Sequence, residues 1–275
     1  MVEKTKNTLF TGCSYTHGNG FDDLIDSEYL WVNLFHKSNP LLANTNLVNA
    51  SLGGISNQEI FLRTVKHLTS KQFDYAFVQW TSMYRMEIHT GLETYSTKQL
   101  LLPHVVPQTH NLNDVTIEGK YIAKIKDRLF SIMHTHYQIV KVLEYVNILI
   151  NLAKVTNTKI YFINGLCPWD KDFFILKENF KPNDLTKYTQ ELINVENRDD
   201  IEIEEIYKKM HKEYAEKGGV RADYWINLDF SYENSKVDVN SDNIHPGIQS
   251  NKNYAELLNK KLKLNKIVLH NTKKT

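Results

Sequence analysis

The chain has 275 residues, 41% of them hydrophobic, and its 33 Lys and Arg against 32 Asp and Glu leave a formal charge of +1. That balance argues against a dedicated nucleic-acid binder, which needs a basic face to neutralise phosphates, and the apolar content argues against wholesale disorder. Two cysteines, Cys13 and Cys167, are too few for a disulfide framework, and without a Cys-x-x-Cys pair they offer no structural zinc site.

Taken in chain order, the opening MVEKTKNTLF lacks the apolar core of a secretory signal. A first strand is expected from Thr8 to Thr11 and a second from Leu47 to Ala50, each short, apolar or β-branched, and bounded by Asn or Gly. Asn57 to Leu68 reads as a helix: Ile60, Phe61, Thr64, Val65 and Leu68 share one face, and Ser56 with Glu59 forms a capping signature. A third strand spans Tyr75 to Trp80. Gly91 to Lys126, with Pro103 and Pro107, reads as an insertion carrying a hairpin. A long helix runs from Arg128 to Val155 and a fourth strand from Lys159 to Asn164. Cys167 to Arg198 is a second, aromatic insertion, Trp225 to Leu228 a fifth strand, and Ser250 to Leu264 the last helix, after the Pro246-Gly247 turn.

Strands alternating with helices imply right-handed crossovers and a parallel sheet covered on both faces. The expected architecture is therefore α/β, a three-layer α/β/α sandwich on five parallel strands. It forms a single domain over residues 1–275, with insertions at 91–126 and 167–198. No run approaches the roughly 18 apolar residues that span a membrane, so a soluble, cytoplasmic protein is expected. The sequon at Asn49 would matter only in a secretory compartment.

In an open parallel sheet the reactive groups gather beyond the carboxyl ends of the strands. After the first strand stands Gly12-Cys13-Ser14-Tyr15-Thr16, where a serine hydroxyl is exposed beside free backbone N–H groups. Such a hydroxyl needs an imidazole as base, and the imidazole needs a carboxylate to fix its tautomer. Near the other end, Asp242-Asn243-Ile244-His245-Pro246 places both in one short turn.

The three stretches Gly12-Cys13-Ser14-Tyr15-Thr16, Asn49-Ala50-Ser51-Leu52-Gly53-Gly54-Ile55-Ser56 and Asp242-Asn243-Ile244-His245-Pro246 occur in the order of the conserved blocks of the SGNH (GDSL-type) hydrolases, and the sequence resembles a divergent, bacterial or phage-like member of that superfamily. The resemblance implies a flavodoxin-like SGNH fold, Ser14 as nucleophile, His245 as base and Asp242 as its orienter. It also implies an oxyanion hole made by the backbone N–H groups of Ser14 and Gly54, with Gly53 the neighbouring candidate. Neither metal nor cofactor is implied.

Two departures stand out. Cys13 replaces the Asp of the first block; a thiol carries no fixed charge, yet beside an imidazole it is itself a competent nucleophile. Ser14 is preferred because it occupies the nucleophile position and a buried Cys commonly acts as a small apolar filler. In the third block, Met83 stands where the family has the Asn that completes the oxyanion hole. Either Ser82 or Arg85 replaces it, or two backbone donors act alone; Arg85 either grips a substrate carboxylate or the oxyanion, or pairs at the surface with Glu87.

Several other residues take plainer readings. His134 and His136 face apart on a helix, His17 is a turn residue, and Trp169, Phe173 and Phe174 form a local core rather than a sugar-stacking surface. The Lys260-Lys261 and Lys273-Lys274 pairs are a solvated face and tail. The functional expectation is a serine ester hydrolase that removes a small acyl group, such as acetyl from a carbohydrate, from a small-molecule or glycan ester. No nucleic-acid or membrane partner is expected. The alternatives are an O-acyltransferase using the same triad and a binding protein that kept the fold without the activity.

Overall fold

Ladder hydrogen bonds carry the strands further toward their amino ends than burial alone indicates. β1 (Lys6–Thr11) starts two residues earlier than expected because Lys6 and Asn7 pair with Thr45 and Asn46 of β2 (Thr45–Asn49), although Lys6 is exposed. These and the following descriptions come from a computed structural model that describes residues 6–19, 21, 27–81, 86–89, 98–101, 135–165, 224–226, 232, 235–243 and 245–271. β3 (Tyr75–Trp80) and β6 (Lys159–Asn164) have the expected bounds. The four strands run parallel in the order β2-β1-β3-β6.

At the fifth expected strand the described residues show a parallel bridge. Trp225 stands opposite Phe162, on the open edge of β6, and the Ile226 N–H donates to the Phe162 carbonyl at 3.0 Å. Asn227 and Leu228 lie outside the described residues, as does the insertion at 167–198. Within the first insertion's neighbourhood, β4 (Met86–His89) and β5 (Lys98–Leu101) form an antiparallel pair that begins before residue 91.

Helices cover both faces of the sheet. On one side α2 (Trp31–Ser38) packs on α5 (Ile248–Asn271); on the other, α3 (Asn57–Ser70) packs on α4 (Thr135–Val155) and reaches β1 and β3. Because successive strand residues point to opposite faces, Phe10 and Phe77 share the α2 side. Phe10 and Phe77 stack at 4.9 Å, Phe77 and Tyr161 at 5.3 Å, and Phe35 of α2 meets Phe77 edge-on at 5.3 Å. On the opposite face Trp80 stacks on Phe162 at 5.9 Å, and Phe162 meets Trp225 at 5.6 Å. The start of α3 is as expected: Ser56 Oγ accepts from the Glu59 N–H at 3.3 Å. No helix among the described residues is long and apolar enough to cross a membrane.

Candidate active site

The first strand ends in a tight corner. Gly12 is required there by close approach, since a methyl in its place would overlap the Thr16 side chain and lie 3.1 Å from Gln79 Cβ. The chain then turns into the one-turn helix α1 (Ser14–His17), with Cys13 as its extended N-cap; the Thr16 and His17 N–H groups donate to the Cys13 carbonyl at 3.0 and 2.9 Å. Thr16 Oγ1 donates to Gln79 Oε1, tying α1 to the end of β3. Ser14 is buried too, at 5% exposed, where an exposed hydroxyl was expected, because α1 folds back over the end of the strand; Cys13 is fully buried and packs in the core. His17 is exposed and its Nδ1 meets Asn19 Oδ1 at 2.8 Å, as a turn residue would.

The loop after β2 runs alongside this corner. Ala50 N–H donates to the Phe10 carbonyl at 2.8 Å, Leu52 N–H to the Gly12 carbonyl at 3.2 Å, and Asn49 Nδ2 to the Thr16 carbonyl at 2.8 Å. Gly54 has φ +73°, a left-handed conformation that favours glycine, and the space where a side chain would stand is open. At Gly53 that space is filled by the Asn19 side chain. The two neighbouring glycines thus differ: Gly54 borders open space and Gly53 does not.

The third block is reached through Thr81. Its N–H donates to Asn57 Oδ1 at 2.8 Å, and Asn57 Nδ2 donates back to its carbonyl at 3.3 Å, so α3 holds the exit of β3. Ser82 and Arg85 lie outside the described residues. Thr81 Oγ1 is buried without a hydrogen-bond partner among the described residues. His134, Trp169, Phe173 and Phe174 also lie outside them.

The Asp242 carboxylate holds His245 twice, accepting from its backbone N–H at 2.9 Å and meeting its Nδ1 at 2.5 Å. A carboxylate only accepts, so Nδ1 carries the proton and Nε2 is left as the basic nitrogen. The His245 side chain is 17% exposed and that of Asp242 32%. Asn243, at φ +57°, makes the turn between them. Around this tip the chain closes on itself: Val239 bridges Pro246, Asn240 N–H donates to the His245 carbonyl at 2.8 Å, and Gly247 N–H to the Asp238 carbonyl at 3.1 Å.

Asp238 is the staple of that loop. Its carboxylate accepts from the backbone N–H groups of Gln249 and Ser250 at 2.9 and 2.7 Å and from Ser250 Oγ, capping the start of α5. Partial burial works against its ionisation, but the Ser250 side chain and the Ser250 and Gln249 amides outweigh it and hold the carboxyl below its ordinary range. A depressed folded value means that the stabilisation is present above the unfolded value of about 3.9 and is lost as pH falls through the folded one. Asp238→Asn is therefore expected to lower stability by about 1–2 kcal/mol near neutrality and to flatten the acid limb below about pH 4, read by urea denaturation across pH.

The two ends of the chain meet through aromatic rings. Tyr15, next to Ser14, presents its ring to the His245 imidazole at 5.5 Å and 73°, and to Tyr232 at 5.4 Å and 82°. Tyr232 stacks on Tyr254 of α5 at 4.0 Å, and the Tyr254 hydroxyl donates to the Asn164 carbonyl at 2.6 Å. Burial first, then the neighbouring Tyr254, Tyr15 and Asp238, push the Tyr232 phenol well above its ordinary range, so it stays neutral. The expectations for this site did not include Tyr15, Tyr232, Asp238 or Asn57. Their roles depend on contacts between segments apart in sequence, Asp238 reaching Gln249 and Ser250 from 11 and 12 residues away.

No protein-family model matches the sequence, and no curated protein matches it. Among solved structures, a crystal structure of TesA aligns at 12% identity and TM-score 0.41, over 94% of this chain and 99% of that one. A G-D-S-L family lipolytic protein from Desulfitobacterium hafniense DCB-2 aligns at 9% identity and TM-score 0.39, over 93% and 99%. A carbohydrate acetylesterase family member from Sinorhizobium meliloti aligns at 10% identity and TM-score 0.38, over 94% and 98%. Likenesses this distant assign no activity to the chain, whose chemistry rests on its own residues.

Proposed function

We propose that the protein is a serine ester hydrolase of the SGNH type. The observation that carries the reading is the Asp242–His245 pair, bound through Nδ1 at 2.5 Å, in ring contact with Tyr15, the residue that follows Ser14. In the proposed reaction Nε2 of His245 takes the Ser14 proton as Ser14 Oγ attacks the ester carbonyl carbon. Asp242 holds the imidazolium that forms. The backbone N–H groups of Ser14 and Gly54 receive the oxyanion, and the open space at Gly54 suits an acyl group placed there. Collapse expels the alcohol, which takes the proton from His245. Water, deprotonated by the same imidazole, then releases the acid and frees Ser14. Ser82 and Arg85 are the proposed side chains for the third oxyanion donor and for the substrate, in the absence of an Asn at Met83.

The resemblance of the three sequence blocks favours a small acyl group, such as acetyl on a carbohydrate. Should a sugar hydroxyl replace water in the second half-reaction, the same residues make an acyltransferase. The place of Cys13 within the hydrophobic core, as a small apolar filler, supports Ser14 over the thiol as nucleophile. The test is hydrolysis of a series of p-nitrophenyl esters from acetyl to octanoyl. Turnover is expected to be highest with acetyl, and Cys13→Ala is expected to retain activity within about threefold. Activity lost in Cys13→Ala, with the fold intact, would move the nucleophile to the thiol; no turnover of any ester would favour the binding protein.

A further inference from the structure

We propose that Tyr15 is the positioning residue for the base, holding the His245 imidazole at the angle from which it serves Ser14; this rests on the reading of Ser14 and His245 as nucleophile and base. Among the described residues the imidazole has one hydrogen bond, from Nδ1 to Asp242, and this bond together with the link to Cβ still lets the ring swing about the line through those two points. The swing would carry Nε2 off the nucleophile without breaking the pair. Tyr15 blocks it: the two rings meet at 5.5 Å and 73°, the edge-to-face arrangement that aromatic quadrupoles prefer.

Tyr15 is itself packed into the core. It is 6% exposed, its carbonyl accepts from the Trp31 indole N–H at 3.1 Å, and its ring is backed by Tyr232 at 5.4 Å. Tyr232 is backed in turn by Tyr254, and Tyr254 by Trp31 at 5.4 Å, so the support closes on the core beneath both chain ends. Adjacent Cα atoms are about 3.8 Å apart, so the residue that restrains the base is covalently fixed beside the one that carries the nucleophile. A single dipeptide, Ser14-Tyr15, thereby sets the position of both partners. Among the described residues the groups facing His245 are Asp242 on its own loop and Tyr15, backed by Tyr232, across the site.

The experiment has a structural and a kinetic arm. In the wild-type protein, nuclear Overhauser contacts are expected between the Tyr15 ring protons and the carbon-bound ring protons of His245. In turnover of p-nitrophenyl acetate, Tyr15→Leu is expected to lower kcat about 10- to 100-fold with KM changed less than about twofold. Tyr15→Phe, which keeps the ring, is expected to stay within about threefold of wild type. Absence of the ring contacts in the wild type overturns the proposal whatever the activity and needs no variant. So does Tyr15→Phe as impaired as Tyr15→Leu, or Tyr15→Leu as active as wild type. Ring contacts present in a protein that hydrolyses no ester overturn the catalytic reading instead, and the positioning role with it.

Discussion

Ser14→Ala is expected to lower kcat/KM for p-nitrophenyl acetate by about 10⁴- to 10⁶-fold while leaving the thermal unfolding midpoint unchanged within about 2 °C. The size follows from the chemistry: without the hydroxyl there is no acyl-enzyme, and only binding and the oxyanion donors remain to assist direct attack by water. His245→Ala is expected to cost about as much, because Ser14 Oγ is a weak nucleophile without a base. The two substitutions act on one step, so the double variant is expected to be no slower than the slower single one. Losses that multiplied in the double variant would mean that the residues act independently. The unfolding midpoint serves as control because Ser14 fills little of the core and its backbone carbonyl, which accepts from the Gly18 and Asn19 N–H groups, is kept.

Phe77→Ala carries the largest expected effect on stability. Phe77 is 1% exposed, at the middle of the sheet, with rings from three elements around it: Phe10 of β1, Tyr161 of β6 and Phe35 of α2. Removing a buried phenyl costs about 3–5 kcal/mol, part of it transfer and part the cavity that stiff neighbours cannot close. For a domain of this size that corresponds to roughly 6–20 °C in the unfolding midpoint, measured by calorimetry. Phe77→Leu, which fills most of the space, is expected to recover more than half of the loss. A midpoint unmoved by Phe77→Ala would contradict the placement of this ring at the heart of the sandwich.

The elements that could be read from the residues are those whose signal is local. The runs Tyr75–Trp80 and Lys159–Asn164 are mostly apolar because both faces of the parallel sheet are covered by helices, and their bounds came out unchanged. Ser56 caps α3 because a hydroxyl and a backbone N–H three residues on are neighbours in any helix start. Asp242 and His245 pair because three residues and a turn bring them together. What depends on partners far along the chain left no such mark. Lys6 belongs to a strand only because Thr45 lies beside it. Tyr15 looks like any aromatic until the last loop folds onto it, and Asn57 like a helix residue until the Thr81 N–H donates to its side chain.

Peptide-resolved mass spectrometry after treatment with a fluorophosphonate asks whether a nucleophile near one terminus is activated by a base near the other. The reagent reacts with serines made nucleophilic by a neighbouring imidazole. The expected result is a single adduct on Ser14 in the wild type, abolished in His245→Ala and retained in Cys13→Ala. A folded wild type that takes no label, or one labelled on Ser14 equally with and without His245, would contradict the account.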